Sequence, residues 1–167
     1  IVGCSKPINE NSLIDRNGVK YQQDSQKPYS GKVFRLYDTG ENKKEGIYKD
    51  GIQDGLQTEW YKNGQKMFEK NYKDGNRDGL WTDWYENGQK EYEWNYKDGK
   101  EDGLFTIWYE NGQKSYEGTF KDGEKDGLVT QWYENGQKGF EGTYKNGELI
   151  DVRLWNKDGS VMEWLND

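Results

Sequence analysis

The chain has 167 residues, a formal net charge of −7, and 33% charged against 31% hydrophobic residues. That length suggests one domain. The 8 Trp, 13 Tyr and only 2 Pro argue for a folded chain, although Leu, Ile, Val and Phe together number just 27. With no His and one Cys, the composition excludes a Ser–His–Asp triad, a Cys–His pair, a His-based or Cys-rich metal site and an internal disulfide. An acidic chain without a basic patch is a poor partner for nucleic acid. No apolar run approaches the roughly 18 residues that span a membrane. The lack of Ala and the abundance of Gly, Tyr, Trp and Thr point away from helices.

In chain order, Ile1-Val2-Gly3-Cys4-Ser5 comes first. It matches the end of a bacterial lipoprotein signal: small or aliphatic residues, Gly, then the Cys that receives lipid. Cys4 is therefore the expected lipidation site, with several acyl chains giving a stable hold where one binds weakly. Residues 1–23 read as this segment and a polar tether, and residues 24–167 as a repeat domain.

The repeat is the dominant signal. GLQTEWYKNGQK at 55–66, GLWTDWYENGQK at 79–90, GLFTIWYENGQK at 103–114 and GLVTQWYENGQK at 127–138 align at a period of 24. Nine of the twelve positions are identical in all four. About six units of 24 residues fill 24–167, with atypical first and last units, as the ends of an array require. The last unit lacks Gly at Asp151 and slips by one residue before Trp155.

Each unit reads as two strands. GLxTxWY alternates, Asn-Gly turns the chain, QKxYE or QKxFE returns it, and Lys-Asp-Gly makes the next turn. The fold class expected is all-β: an elongated antiparallel hairpin array advancing about 10 Å per unit. Opposed residues share a face. A three-residue loop Glu86-Asn87-Gly88 opposes Trp84 with Lys90 and, counted onward, Thr82 with Tyr92. The same turn is expected at Tyr-x-Asp-Gly. On this count Leu80, Thr82, Trp84, Tyr92 and Trp94 form a structural face, with Trp60, Trp84, Trp108 and Trp132 as its repeating anchors. The varying positions (57, 59 and 67 and their equivalents) fall on the other face. There Trp81, Phe105, Ile107 and Val129 are expected in an exposed row beside Tyr85, Tyr109 and Tyr133, as the surface that meets a partner.

Tyr116-Glu117-Gly118-Thr119-Phe120-Lys121-Asp122-Gly123-Glu124-Lys125-Asp126-Gly127 resembles the MORN repeat, aromatic-x-Gly-x-aromatic-x-x-Gly-x-x-x-Gly. With WYENGQK it is most similar to the bacterial variant often linked to an antitoxin role. Lys70 and Trp94 depart from the pattern at the place of Gly118. The resemblance implies a β-hairpin scaffold for protein or membrane contacts, not an enzyme. No cofactor or metal is expected. Asp-Gly-x-x-Asp-Gly at 74–79, 98–103 and 122–127 is ordinary turn chemistry rather than a calcium loop. The leading expectation is a non-catalytic scaffold, anchored in a bacterial envelope through Cys4, that binds a protein partner through the varying face. Alternatives are a cytoplasmic antitoxin-like protein with Cys4 unmodified, a self-associating structural protein, and a glycan binder that uses its repeated aromatics.

Overall fold

The computed structural model describes residues 6–162, so Cys4 lies outside the described residues. The strands are β1 (Ile8–Asn9), β2 (Leu13–Arg16), β3 (Val19–Gln22), β4 (Gly31–Leu36), β5 (Asn42–Lys49), β6 (Ile52–Gln53), β7 (Gly55–Trp60), β8 (Lys66–Lys73), β9 (Asn76–Trp84), β10 (Lys90–Lys97), β11 (Lys100–Trp108), β12 (Lys114–Lys121), β13 (Glu124–Trp132), β14 (Lys138–Lys145) and β15 (Glu148–Leu154). Thirteen of them form one sheet in chain order, antiparallel throughout except where β1 runs parallel to β4. The hairpin array expected from the repeat is what the chain adopts.

The two turns of a unit differ. At Glu86-Asn87-Gly88 the Gly88 amide donates to the Tyr85 carbonyl (2.9 Å), with Gly88 left-handed at φ 85°. This is the expected three-residue loop. The Lys-Asp-Gly turn is not a second copy of it. Lys97 pairs with Lys100, and Asp98 and Gly99 are both left-handed (φ 49° and 85°), which makes a two-residue hairpin turn. Asp tolerates that backbone better than most residues.

The register corrects the expected faces. Trp84 does oppose Lys90, but the next pair is Asp83 with Tyr92, followed by Glu93 with Thr82 and Trp94 with Trp81. Glu91 is an extra residue, a bulge repeated in the other hairpins. One inserted residue carries every later side chain to the opposite face. Tyr92 and Trp94 therefore join Trp81 and Asp83, while Glu93 joins Leu80, Thr82 and Trp84.

The varying face is thus the core. Val33, Gln57, Trp81, Phe105 and Val129 are all buried along one row. Val129 shows how a single sheet buries a side chain. It lies between Gly118 and Gly142 on the flanking strands. A Cβ on Gly118 would sit 3.2 Å from the Tyr116 ring, and one on Gly142 only 2.6 Å from the Phe140 ring. The missing side chains leave room for these rings beside Val129, which is 0% exposed. Where Gly is replaced, the neighbour changes to match. Trp94 stacks on Phe105 (centroids 3.4 Å apart, planes at 19°), and the Lys70 ammonium reaches Asp83 at 2.9 Å. Positions 57, 81, 105 and 129 vary because each fills the space that its cross-strand neighbours leave.

The N-terminal segment is not a tether from Ile8 onward. β1 covers the β4 edge, Glu10–Ser12 form a 3-10 turn, and β2–β3 form a hairpin fixed to the first unit by Lys20 N–H donating to the Gly51 carbonyl (2.9 Å). Glu10 sits over the core face. It accepts from the Lys44 ammonium (2.6 Å) and the Tyr48 hydroxyl (2.7 Å), and it pairs with Arg35 Nε at 3.0 Å. Burial pulls the Glu10 carboxyl up, but these bonds and charges outweigh it and hold it below its ordinary value of 4.5. A carboxyl lowered in the folded state stabilises above the unfolded value, and that contribution is lost as pH falls through the folded value. Glu10→Gln is expected to cost about 3 kcal/mol, because Lys44 stays buried without its anion. Hydrogen exchange should show Ile8, Asn9 and Val33 opening in the variant at pH 7, and in the wild type only on acidification.

Candidate functional site

Three surfaces can be built from the repeat. The first is the core face itself. Trp81, Phe105 and Val129, expected in an exposed row, are 8%, 7% and 0% exposed, so they present no free surface to a partner. Trp81 lies between Tyr72 and Tyr96, with ring centroids 5.0 Å from each, and its Nε1–H donates to the Asn71 carbonyl (2.7 Å). Ile107 is half-buried between Tyr92 and Tyr116. Asp83 has one carboxylate oxygen on Lys70, and the other is buried without a partner among the described residues. Burial pushes the Asp83 carboxyl up, against the pull of Lys70. Burial likewise raises Glu91, and the nearby charges of Asp83 and Glu110 add to the effect.

The second surface is the edge that carries the three-residue loops. Tyr61, Tyr85, Tyr109 and Tyr133 stand there in a ladder. Each hydroxyl donates to the carbonyl of the tryptophan one unit on (Trp84, Trp108, Trp132 and Trp155) at 2.7–2.9 Å. The one-residue slip of the last unit is absorbed here, since Trp155 still receives its bond. Asn63, Asn87, Asn111 and Asn135 run a parallel ladder of side-chain amides to the next loop's carbonyls. Tyr85, Tyr109 and Tyr133 are thus half-buried clasps between units.

The third surface is the face that repeats most strictly. Thr58, Thr82, Thr106 and Thr130 are buried in it, flanked by the carboxylates of Glu69, Glu93, Glu117 and Glu141. Trp60, Trp84, Trp108 and Trp132 lie half-buried on this face, not against the aromatic core. Lysine ammoniums cover the rings of Trp84 and Trp108 at 5.6 and 5.5 Å. Beside them Leu56, Leu80, Leu104 and Leu128 form a row that is 40–52% exposed. Asn71, Asn95, Thr119 and Thr143 alternate with the leucines across the sheet. Sequence reasoning missed this row because identity in every unit read as a structural role.

The Asp-Gly turns at the opposite edge carry carboxylates paired with lysines of adjoining turns, as in Asp74 with Lys49 (3.3 Å) and Asp126 with Lys145 (3.0 Å). Among the described residues no group of three or more metal-ligating side chains comes together.

This geometry defines a repetitive β-hairpin array, a class that works by presenting surface. Residues 53–74, 77–98, 101–122 and 125–146 each match the MORN repeat variant, more than half of the chain, and the chain belongs to that family. The family is typically a non-catalytic repeat module, and the chain is a repeat scaffold or binding protein. No curated protein matches the chain.

Proposed function

We propose that this array is a binding scaffold held at a bacterial envelope through lipidated Cys4, and that it meets a protein partner through the leucine–threonine face. The observation that carries the contact surface is the row Leu56, Leu80, Leu104 and Leu128, each at least 40% exposed and recurring once per two strands. Apolar side chains at a regular spacing of about 10 Å on a rigid sheet suit a partner that contacts several units at once. The anchor reading rests on Val2-Gly3-Cys4-Ser5 and on Cys4 being the single cysteine.

The test uses protein made from its native precursor. The peptide that begins at Cys4 is expected to carry acyl mass; an unmodified Cys4 would remove the anchor and favour the soluble, antitoxin-like alternative. A partner cross-linked to the wild type in the envelope fraction is expected to be lost from the Leu80→Ser/Leu104→Ser variant. That variant should keep its stability within about 1 kcal/mol, because both side chains are half in solvent already. Undiminished cross-linking to the same partner would refute the leucine face.

A further inference from the structure

The β4–β5 hairpin, the first of the repeat array, breaks a pattern that the next four share. In those four a lysine ammonium lies on the glutamate three residues on: Lys66 on Glu69, Lys90 on Glu93, Lys114 on Glu117 and Lys138 on Glu141. In the first hairpin the lysine position is Asn42. Its Nδ2 donates to one oxygen of Glu45 (3.1 Å), and among the described residues no cation pairs with that carboxylate. An open groove of about 650 Å³ adjoins it on the leucine–threonine face, walled by Phe34, Ile47 and Leu56. Lys6 and Lys32 also line the groove, and neither is in an ion pair among the described residues.

The register spaces these charges. Glu45 opposes Phe34, and Lys32 opposes Ile47. Lys32 is therefore displaced from Glu45 by two residues along the strand and by one strand spacing across it, roughly 8 Å in all. The groove offers an anion and two cations separated by an apolar floor. A lone ammonium would meet Lys6 and Lys32, and a lone carboxylate would meet Glu45. A ligand that carries both groups at the two ends of a hydrocarbon chain meets opposite charge at each end.

We propose that this groove binds an aliphatic ω-amino acid group. Its ammonium takes the place on Glu45 that the later units fill with their own lysine. Its carboxylate faces Lys32 and Lys6, and its methylenes lie over Phe34, Ile47 and Leu56. The C-terminal lysine of a polypeptide and a free ω-amino acid share this chemistry. The site shares Leu56 with the proposed leucine face but needs neither the rest of that row nor the anchor, and its test reads ligand binding alone.

The labelled full chain is titrated with 6-aminohexanoate and followed by nuclear magnetic resonance at Phe34, Ile47 and Thr58. Saturable shifts are expected at all three. Hexylamine and hexanoate, each with one charged end, should bind at least tenfold more weakly. Asn42→Lys should fold, since it restores the chemistry of the later units, and should weaken 6-aminohexanoate at least tenfold. Glu45→Gln should do the same. Absence of a saturable shift, equal binding by either half-ligand, or unchanged binding by Asn42→Lys overturns the proposal. A peptide ending in a free lysine, compared with its amidated form, then identifies the source. Tighter binding of the free-ended peptide than of 6-aminohexanoate points to a polypeptide terminus; weaker binding points to the small amino acid.

Discussion

Trp81→Ala is expected to cost about 3–5 kcal/mol, the range for removing a large buried aromatic ring. Trp81 is 8% exposed and packs against Tyr72 and Tyr96. It also supplies the indole N–H bonded to the Asn71 carbonyl (2.7 Å), and the Arg77 guanidinium lies 4.7 Å from its ring centre. Alanine would remove all of these contacts. In a linear array each unit leans only on its neighbours. The loss should therefore do more than lower the midpoint, by roughly 10 °C for a chain of this size. It should uncouple the units before Trp81 from those after it and split one thermal transition into two. Calorimetry reads both effects. A loss below 1 kcal/mol with a single transition would mean that the ring faces solvent, as plain strand alternation has it. Leu104→Ser, at 47% exposure, is the contrasting control, with an expected change under about 1 kcal/mol.

Lys70→Met should be comparably damaging, for an electrostatic reason. Lys70 and Asp83 form an ion pair at 2.9 Å with side chains only 19% and 10% exposed, and the second Asp83 oxygen is already unpartnered. Removing the cation leaves a buried carboxylate alone, at about 3–5 kcal/mol. Lys70→Met/Asp83→Leu should recover most of that loss, because Phe68, Trp81 and Tyr92 around the pair are aromatic. The sign of the pH dependence separates this from a packing defect. Asp83 is raised above its ordinary 3.8 by burial even with Lys70 present. A carboxyl raised in the folded state binds its proton more tightly there than when unfolded. The penalty is then full above the folded value and is relieved as pH falls through it toward the unfolded value. Lys70→Met should therefore gain stability from pH 7 toward pH 4 relative to the double variant. Urea denaturation at several pH values reads this; a pH-independent difference would assign the loss to packing. Glu10 has the opposite sign, since its carboxyl is lowered and its contribution disappears in acid.

The repeat made most of the fold legible. A period of 24 with Asn-Gly and Asp-Gly turns allows little except stacked hairpins, and the three-residue loop follows from where Gly88 stands. The faces were not legible. Parity is a count, and a single bulge at Glu91 inverts everything downstream of it. With the bulge, Tyr92 and Trp94 gather on the side of Trp81, an arrangement that no pairwise count along one hairpin contains. Glu10 could not be found from the sequence either. It lies outside the repeat, and its partners Lys44 and Tyr48 are 34 and 38 residues away.

By itself the sequence determined the all-β class, the unit length, the turn positions, the family resemblance, and the exclusion of chemistry that needs His or paired Cys. These are local properties, set by turn backbones, alternation and composition. Tertiary structure alone decided which face is core, what the Tyr85, Tyr109 and Tyr133 hydroxyls bond, and that Ile8–Gln22 closes the first edge. It also placed the Glu45 carboxylate across a groove from Lys32. The physical reason is that burial belongs to a ring together with the glycine across the strand from it. Only the assembled sheet brings the two side by side.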